Sequence, residues 1–66
     1  MKTLEYRGYI LRHHKTDSYF CLIYRPGSNV AMSAKAVASA EEGEAIMLAR
    51  AKAIVDAEEA KKDQKK

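Results

Sequence analysis

The one proline of the chain, Pro26, is followed at once by Gly27, Ser28 and Asn29. Proline presets φ at the first central position of a turn, and glycine accepts positive φ at the next. A chain reversal is therefore expected over residues 26–29, and the flanking segments must run antiparallel. Before the turn, Ser18 to Arg25 contains the continuous apolar run Tyr-Phe-Cys-Leu-Ile-Tyr, which suits a central strand. After it, Val30 to Val37 reads as a weaker, alanine-rich strand. Upstream, Leu4 to His13 is rich in Tyr, Ile and Leu and reads as one more strand, with His14-Lys15-Thr16-Asp17 as a hairpin loop.

The second half reads as a helix. Ser39 with Glu42 three residues later makes a capping box, and Glu41, Glu42 and Glu44 suit a positive helix N-terminus. Ala40 to about Ala60 has high helix propensity apart from Gly43, and Lys61 and Lys62 suit the C-terminal end. The expected fold is a single α+β domain over residues 1–60: a three-stranded antiparallel β-meander packed on one C-terminal α-helix, β-β-β-α. A basic, disordered tail is expected over 61–66. Sixty-six residues leave room for one domain. Eleven of the apolar residues are alanine, so the core must be thin.

Pairing across the Pro-Gly turn sets Ile23 opposite Met32, Cys21 opposite Ala34 and Tyr19 opposite Ala36. One face then holds Tyr19, Cys21, Ile23, Val30, Met32, Ala34 and Ala36, and its small alanines let a helix lie close. This is taken as the core face. The other face holds Phe20, Leu22, Tyr24, Ala31, Ser33, Lys35 and Val37. A first hairpin with Lys15-Thr16 at its tip adds Tyr6, Gly8 and Ile10 to the core face and Arg7, Tyr9, Leu11 and His13 to the outer one. A one-residue slip exchanges those two sets. In this register Tyr9, Leu11, Phe20, Leu22 and Tyr24 form an apolar patch beside Arg7, His13 and Lys35, the composition of an interface. Three readings of the patch stay open: the helix covers it as the core, it joins two copies, or it meets a nucleic acid or other partner. On the helix, Ile46, Ala49, Ala53 and Ala57 form a stripe that Met47, Leu48, Ala51, Ile54 and Val55 widen. Leu48 and Val55 lie far from Ile46 and suggest a second packing partner.

Charge is segregated. Residues 1–37 carry Lys2, Arg7, Arg12, Lys15, Arg25 and Lys35 against Glu5 and Asp17, net +4. Residues 38–60 carry Arg50 and Lys52 against Glu41, Glu42, Glu44, Asp56, Glu58 and Glu59, net −4. The four lysines and one aspartate of 61–66 add +3, which is also the total. A basic sheet and an acidic helix should attract each other, so little of the total charge points to a polyanion.

Chemistry is sparse. His13 and His14 are adjacent strand residues at a hairpin end and point to opposite faces, so they do not share a metal; both are expected in solvent. No Cys-x-x-Cys or His-x-x-x-His spacing accompanies them. Cys21 excludes an intramolecular disulfide, suits a reducing compartment and reads as a small hydrophobe in mid-strand. Arg50 falls near the apolar stripe and is expected to lay its stem on the sheet or to pair with Glu42 or Glu58. The glycines are isolated, so no phosphate loop is present. No apolar run approaches the ~18 residues of a membrane span, and Met1 to Arg12 lacks a signal-peptide pattern. A cytoplasmic, bacterial or phage protein is expected, with no catalytic residue, cofactor, metal, membrane partner or evident small-molecule substrate.

The stretch Asp17 to Glu59, a strand, a Pro-Gly turn, a strand and a helix that opens with A-E-E-G-E-A, resembles the N-terminal part of HicB-type antitoxins. It is also similar in layout to the arm-type DNA-binding domain of phage integrases, a three-stranded sheet with a C-terminal helix. The first resemblance implies toxin binding. The second implies base contacts from the sheet, although V-A-M-S-A-K-A-V carries a single lysine. The functional expectation is a small non-enzymatic protein-interaction module, a homodimer among its possible forms. Its candidate surface is Arg7, Tyr9, Leu11, Phe20, Leu22, Tyr24, Lys35, Leu48 and Val55. The alternative is a weak nucleic-acid binder using Arg7, Arg12, Lys15, Arg25 and Lys35 with the aromatic sheet face.

Overall fold

Four strands form where three are expected, because the first segment folds back on itself at Arg7-Gly8. The computed structural model describes residues 2–64. In it β1 (Lys2–Tyr6), β2 (Tyr9–Lys15), β3 (Ser18–Tyr24) and β4 (Ala31–Ser39) precede one helix, α1 (Glu44–Gln64). The strands form a single antiparallel sheet in the order β1-β2-β3-β4, so the α+β meander-then-helix layout stands with one more strand. Arg7 and Gly8 both adopt positive φ, 55° and 85°, as a two-residue hairpin with the right-handed twist of its strands requires. Tyr6 pairs with Tyr9 and Leu4 with Leu11.

The β2–β3 reversal is centred on Asp17, with Lys15 opposite Tyr19, and not on Lys15-Thr16. The odd shift exchanges the faces of β2. Tyr9 and Leu11 lie under the helix with no exposed surface, and His13 joins them at 6%. Ile10, Arg12 and His14 point the other way. The alternative register would bury Gly8 and turn the large Tyr9 and Leu11 outward, so core formation selects the observed one.

The Pro-Gly reversal forms as its residues require. Gly27 has φ 75°, and the Ser28 N–H donates to the Arg25 carbonyl at 3.0 Å. Tyr24 pairs with Ala31, as the turn dictates, but the next pair is Leu22 with Lys35. A bulge thus adds two residues to β4 and moves the partners of Cys21 and Tyr19 to Ala36 and Ala38. A shift of two preserves faces, so Tyr19, Cys21, Ile23, Met32 and Ala36 keep the covered side. Ala34, expected there, is exposed in the bulge, and Val30, outside the strand, is 74% exposed.

The core joins Tyr9, Leu11, Cys21 and Ile23 to Met32, Ala36 and Ala38 of β4 and to Met47, Ala51 and Val55 of α1. Alanines on both layers let Cα atoms of α1 and β4 come within 8 Å. Val55 is wholly buried and Leu48 packs at the border of the core, so the chain's own sheet covers the side of the helix they occupy.

The capping box closes: the Glu42 N–H donates to Ser39 Oγ at 3.1 Å, and the Ser39 N–H donates to Glu42 Oε1 at 2.9 Å. It encloses a turn instead of opening the helix, because Gly43 takes φ 90° and α1 starts at Glu44. The helix then runs past Ala60 to Gln64, so 61–64 of the expected tail are helical; Lys65 and Lys66, like Met1, lie outside the described residues. The Lys62–Glu59 pair at 3.4 Å and the C-terminal preference for cations support that extension.

The Arg50 guanidinium clasps both oxygens of Glu42, at 3.0 and 2.7 Å, and donates to the Val37 carbonyl at 2.9 Å. With Glu42 accepting from the Ser39 N–H, the pair occupies outward backbone groups at the end of the edge strand β4. Arg50 therefore takes Glu42, and not Glu58, as its partner.

Substituting Gly8→Ala should destabilise the fold by about 1–3 kcal/mol, measured by urea denaturation. The strain comes from its φ of 85°, since the added Cβ would sit 3.4 Å from Pro26 Cγ, an acceptable contact.

Candidate interface on the uncovered sheet face

The helix acids determine which cations remain free. Asp56 accepts from Arg7 at 2.8 Å and from the Tyr6 hydroxyl at 3.0 Å. Glu58 takes Arg25 at 3.0 Å, and Glu59 takes the Tyr9 hydroxyl at 2.8 Å. Glu44 meets Lys2 more loosely, at 3.9 Å. Arg7 is the main influence lowering the Asp56 carboxyl, and the Tyr9 hydroxyl is the main one lowering Glu59. These contacts are largely exposed, and such pairs contribute little to stability one by one. Their larger effect is spatial: Arg7 and Arg25 are held against the helix side, and Lys2 leans loosely towards it.

The opposite face is left without a covering element. Across the strands it reads in three rows: Glu5, Ile10, Tyr24, Ala31; Thr3, Arg12, Leu22, Lys35; and His14, Phe20, Val37. Ile10, Phe20, Leu22 and Tyr24 are half-buried by their neighbours, and Val37 is 55% exposed. The His14 and Phe20 rings meet edge to face at 5.7 Å. Leu22 is the centre, with Phe20 and Tyr24 along its own strand and Arg12 and Lys35 across the neighbouring ones. Among the described residues neither Arg12 nor Lys35 has a carboxylate partner. A shallow hollow of about 240 Å³ lies between Ile10, Arg12, Tyr24, Ser28 and Asn29.

Of the residues expected to form an interaction surface, Phe20, Leu22, Tyr24 and Lys35 share this face. Tyr9, Leu11 and Val55 are core, Leu48 borders the core, and Arg7 is on the helix side with Asp56. Ile10 and Arg12 take the places that Tyr9 and Leu11 were expected to hold. The signal for them is the polar run His14-Lys15-Thr16-Asp17: a reversal centred on Asp17 sets Ile10 opposite Tyr24 and Arg12 opposite Leu22.

The histidines do lie on opposite faces, but only His14 is in solvent. His13 is buried on the helix side, opposite Cys21. Burial pushes the Cys21 thiol up to about 11, which leaves it a poor nucleophile at neutral pH. Among the described residues no group of three His, Cys, Asp or Glu side chains is placed to hold a metal ion. No helix of the described residues is long and apolar enough to cross a membrane.

Comparison of the chain with protein-family models, curated proteins and solved structures found no match. The likeness to HicB-type antitoxins and to integrase arm-type domains is thus one of layout, and the four-stranded sheet departs from the three strands of the latter.

Arg50, and after it the Ser39 N–H, hold the Glu42 carboxyl down to about 2 from an ordinary value of 4.5. A carboxylate lowered by folding stabilises the fold fully above its unfolded value, and that contribution is lost as pH falls towards the folded one. In Glu42→Gln the melting temperature at pH 7 should drop, and its further fall between pH 4.5 and 2 should be smaller than in the parent protein. Melting curves followed by circular dichroism check both.

Proposed function

We propose that the protein is a non-enzymatic, cytoplasmic interaction module whose uncovered sheet face receives an acidic segment of a protein partner. The observation that carries this reading is the pattern around Leu22: an apolar centre, two aromatic neighbours along the strand, and Arg12 and Lys35 on either side without carboxylates. A partner offering apolar side chains flanked by Asp or Glu would complement it in shape and charge. The inert thiol of Cys21 and the separation of the histidines favour binding over catalysis, and the single cysteine suits the reducing cytoplasm.

A second copy fits this face less well. Two sheets meeting about a twofold axis near Leu22 would bring Arg12 and Lys35 of both copies together. A nucleic acid could stack on Phe20 and Tyr24. Arg7 and Arg25, however, which a phosphate track would need, are engaged by Asp56 and Glu58 on the other side of the sheet.

Amide NMR spectra of the protein separate these readings when it is titrated with a peptide of alternating Leu and Glu, titrated with mixed single-stranded DNA, and diluted alone. The peptide should move the signals of Arg12, Leu22 and Lys35, and Lys35→Glu should abolish the effect. Localised shifts with DNA alone would favour the nucleic-acid reading, shifts with dilution alone would favour self-association, and no shift in any arm would sink the surface.

A further inference from the structure

On the helix side the layers part where α1 begins. Asp56, Glu58 and Glu59 fasten the C-terminal half of the helix to the sheet, whereas near its start the link to β1 is the loose Lys2–Glu44 pair. An open cleft of about 410 Å³ results, lined by Lys2, His13, His14, Lys15, Tyr19 and Glu44. The strand register builds it. Lys2 is opposite His13 and Lys15 is opposite Tyr19, with His13 and Lys15 two residues apart on one face.

His13 is the unexplained group. It is 94% buried, at 6% exposure, yet its imidazole makes no hydrogen bond to any described residue. No fully enclosed side-chain nitrogen or oxygen lacks a partner among the described residues, so the imidazole nitrogens must open onto the cleft. An imidazole whose body is buried while its nitrogens face a cleft has donors and acceptors to offer an entering ligand. Here it sits between two ammonium groups and a phenol.

We propose that this cleft binds a small-molecule phosphomonoester. Lys2 and Lys15 match the charge of a phosphate dianion. The imidazole N–H and the Tyr19 hydroxyl supply two directed donors to its oxygens, in either protonation state of the ring. Neither lysine is firmly held: Lys2 stands 3.9 Å from an exposed Glu44, and Lys15 lies 5.6 Å from the centre of the Tyr19 ring. An entering phosphate replaces Glu44 as the counter-ion of Lys2. The volume lies within the ~300–1,000 Å³ of small-molecule clefts and exceeds the needs of an inorganic anion, so an organic group is expected beyond the phosphate. The donors Lys2, His13, Lys15 and Tyr19 are on the helix side of the sheet, only His14 of the lining belongs to the uncovered face, and the proposal does not depend on the protein interface.

The test titrates the full chain with glycerol 3-phosphate, inorganic phosphate and sodium acetate at matched ionic strength, followed by NMR. Glycerol 3-phosphate should give saturable shifts at His13, Lys15 and Tyr19, with inorganic phosphate weaker and acetate without effect. Lys15→Gln should weaken the affinity roughly tenfold, as expected for the loss of a charge-assisted contact. Glu44→Gln should tighten it. Lys15 is exposed and Glu44 half-exposed, so the variants should keep the circular dichroism spectrum of the parent. Equal responses to acetate and glycerol 3-phosphate, no saturable shift, or an unchanged affinity in Lys15→Gln would overturn the proposal. Sedimentation with phosphatidic-acid vesicles, without competition from glycerol 3-phosphate, would overturn the small-molecule source in favour of a lipid headgroup.

Discussion

The register of β2 against β3, fixed by the reversal centred on Asp17, determines the side of the sheet that every side chain of β2 occupies. With Leu11 opposite Ile23, Tyr9 and Leu11 face the helix and supply large pieces of the core, while His13 turns inward to the floor of a cleft and Ile10 and Arg12 turn outward. The two-residue reversal at Arg7-Gly8 then lays Tyr6 beside Tyr9 and Leu4 beside Leu11 on the same side. A chain this short buries only about 60% of its unfolded surface. It gains much from turning a single strand into a hairpin whose tyrosines and leucines lie under one helix. The turn is held from outside, too, by the Arg7–Asp56 contact at 2.8 Å.

Charge then gives the sheet two chemically different sides. Alone, none of the exposed ion pairs between helix and sheet decides stability; burial of Tyr9, Leu11, Ile23, Met47 and Val55 outweighs them. Together they gather the acids of α1 and three cations of the sheet on one side. Arg12 and Lys35, which the strand period points the other way, have no carboxylate partner among the described residues. The formal charge of +3 therefore understates how unevenly the potential is distributed.

Most of the architecture was legible wherever a residue type allows few backbone choices. Pro26-Gly27 specified its turn, and the alternation of β3 placed Cys21 and Ile23 inside and Phe20, Leu22 and Tyr24 outside. That assignment survived a bulge because the shift was even. The alanines of β4 correctly indicated a close helix. What escaped was the Arg7-Gly8 hairpin, since arginine carries no propensity for positive φ that would announce it. The reversal at Asp17 escaped as well, since the polar run at 14–17 offers more than one tip, and with that odd shift Tyr9 and Leu11 were expected outside. The helix start was displaced because Gly43 offers a second way to leave the capping turn. The cleft at His13 depends on where two layers separate, a property of the assembled fold that no local pattern records.

The grip of Arg50 and Glu42 on Val37 and Ser39 has a further consequence. An edge strand is a template on which other chains polymerise, and β4, nine residues long and without proline, would otherwise be an inviting one. A guanidinium and a carboxylate stand where the next strand would begin to zip, and the bulge distorts the stretch they leave open. The other border of the sheet is a five-residue strand that carries Lys2 and Glu5, short and charged as exposed edges tend to be. An arginine that looks misplaced on an apolar stripe thus covers backbone groups at the end of the sheet's longer open edge.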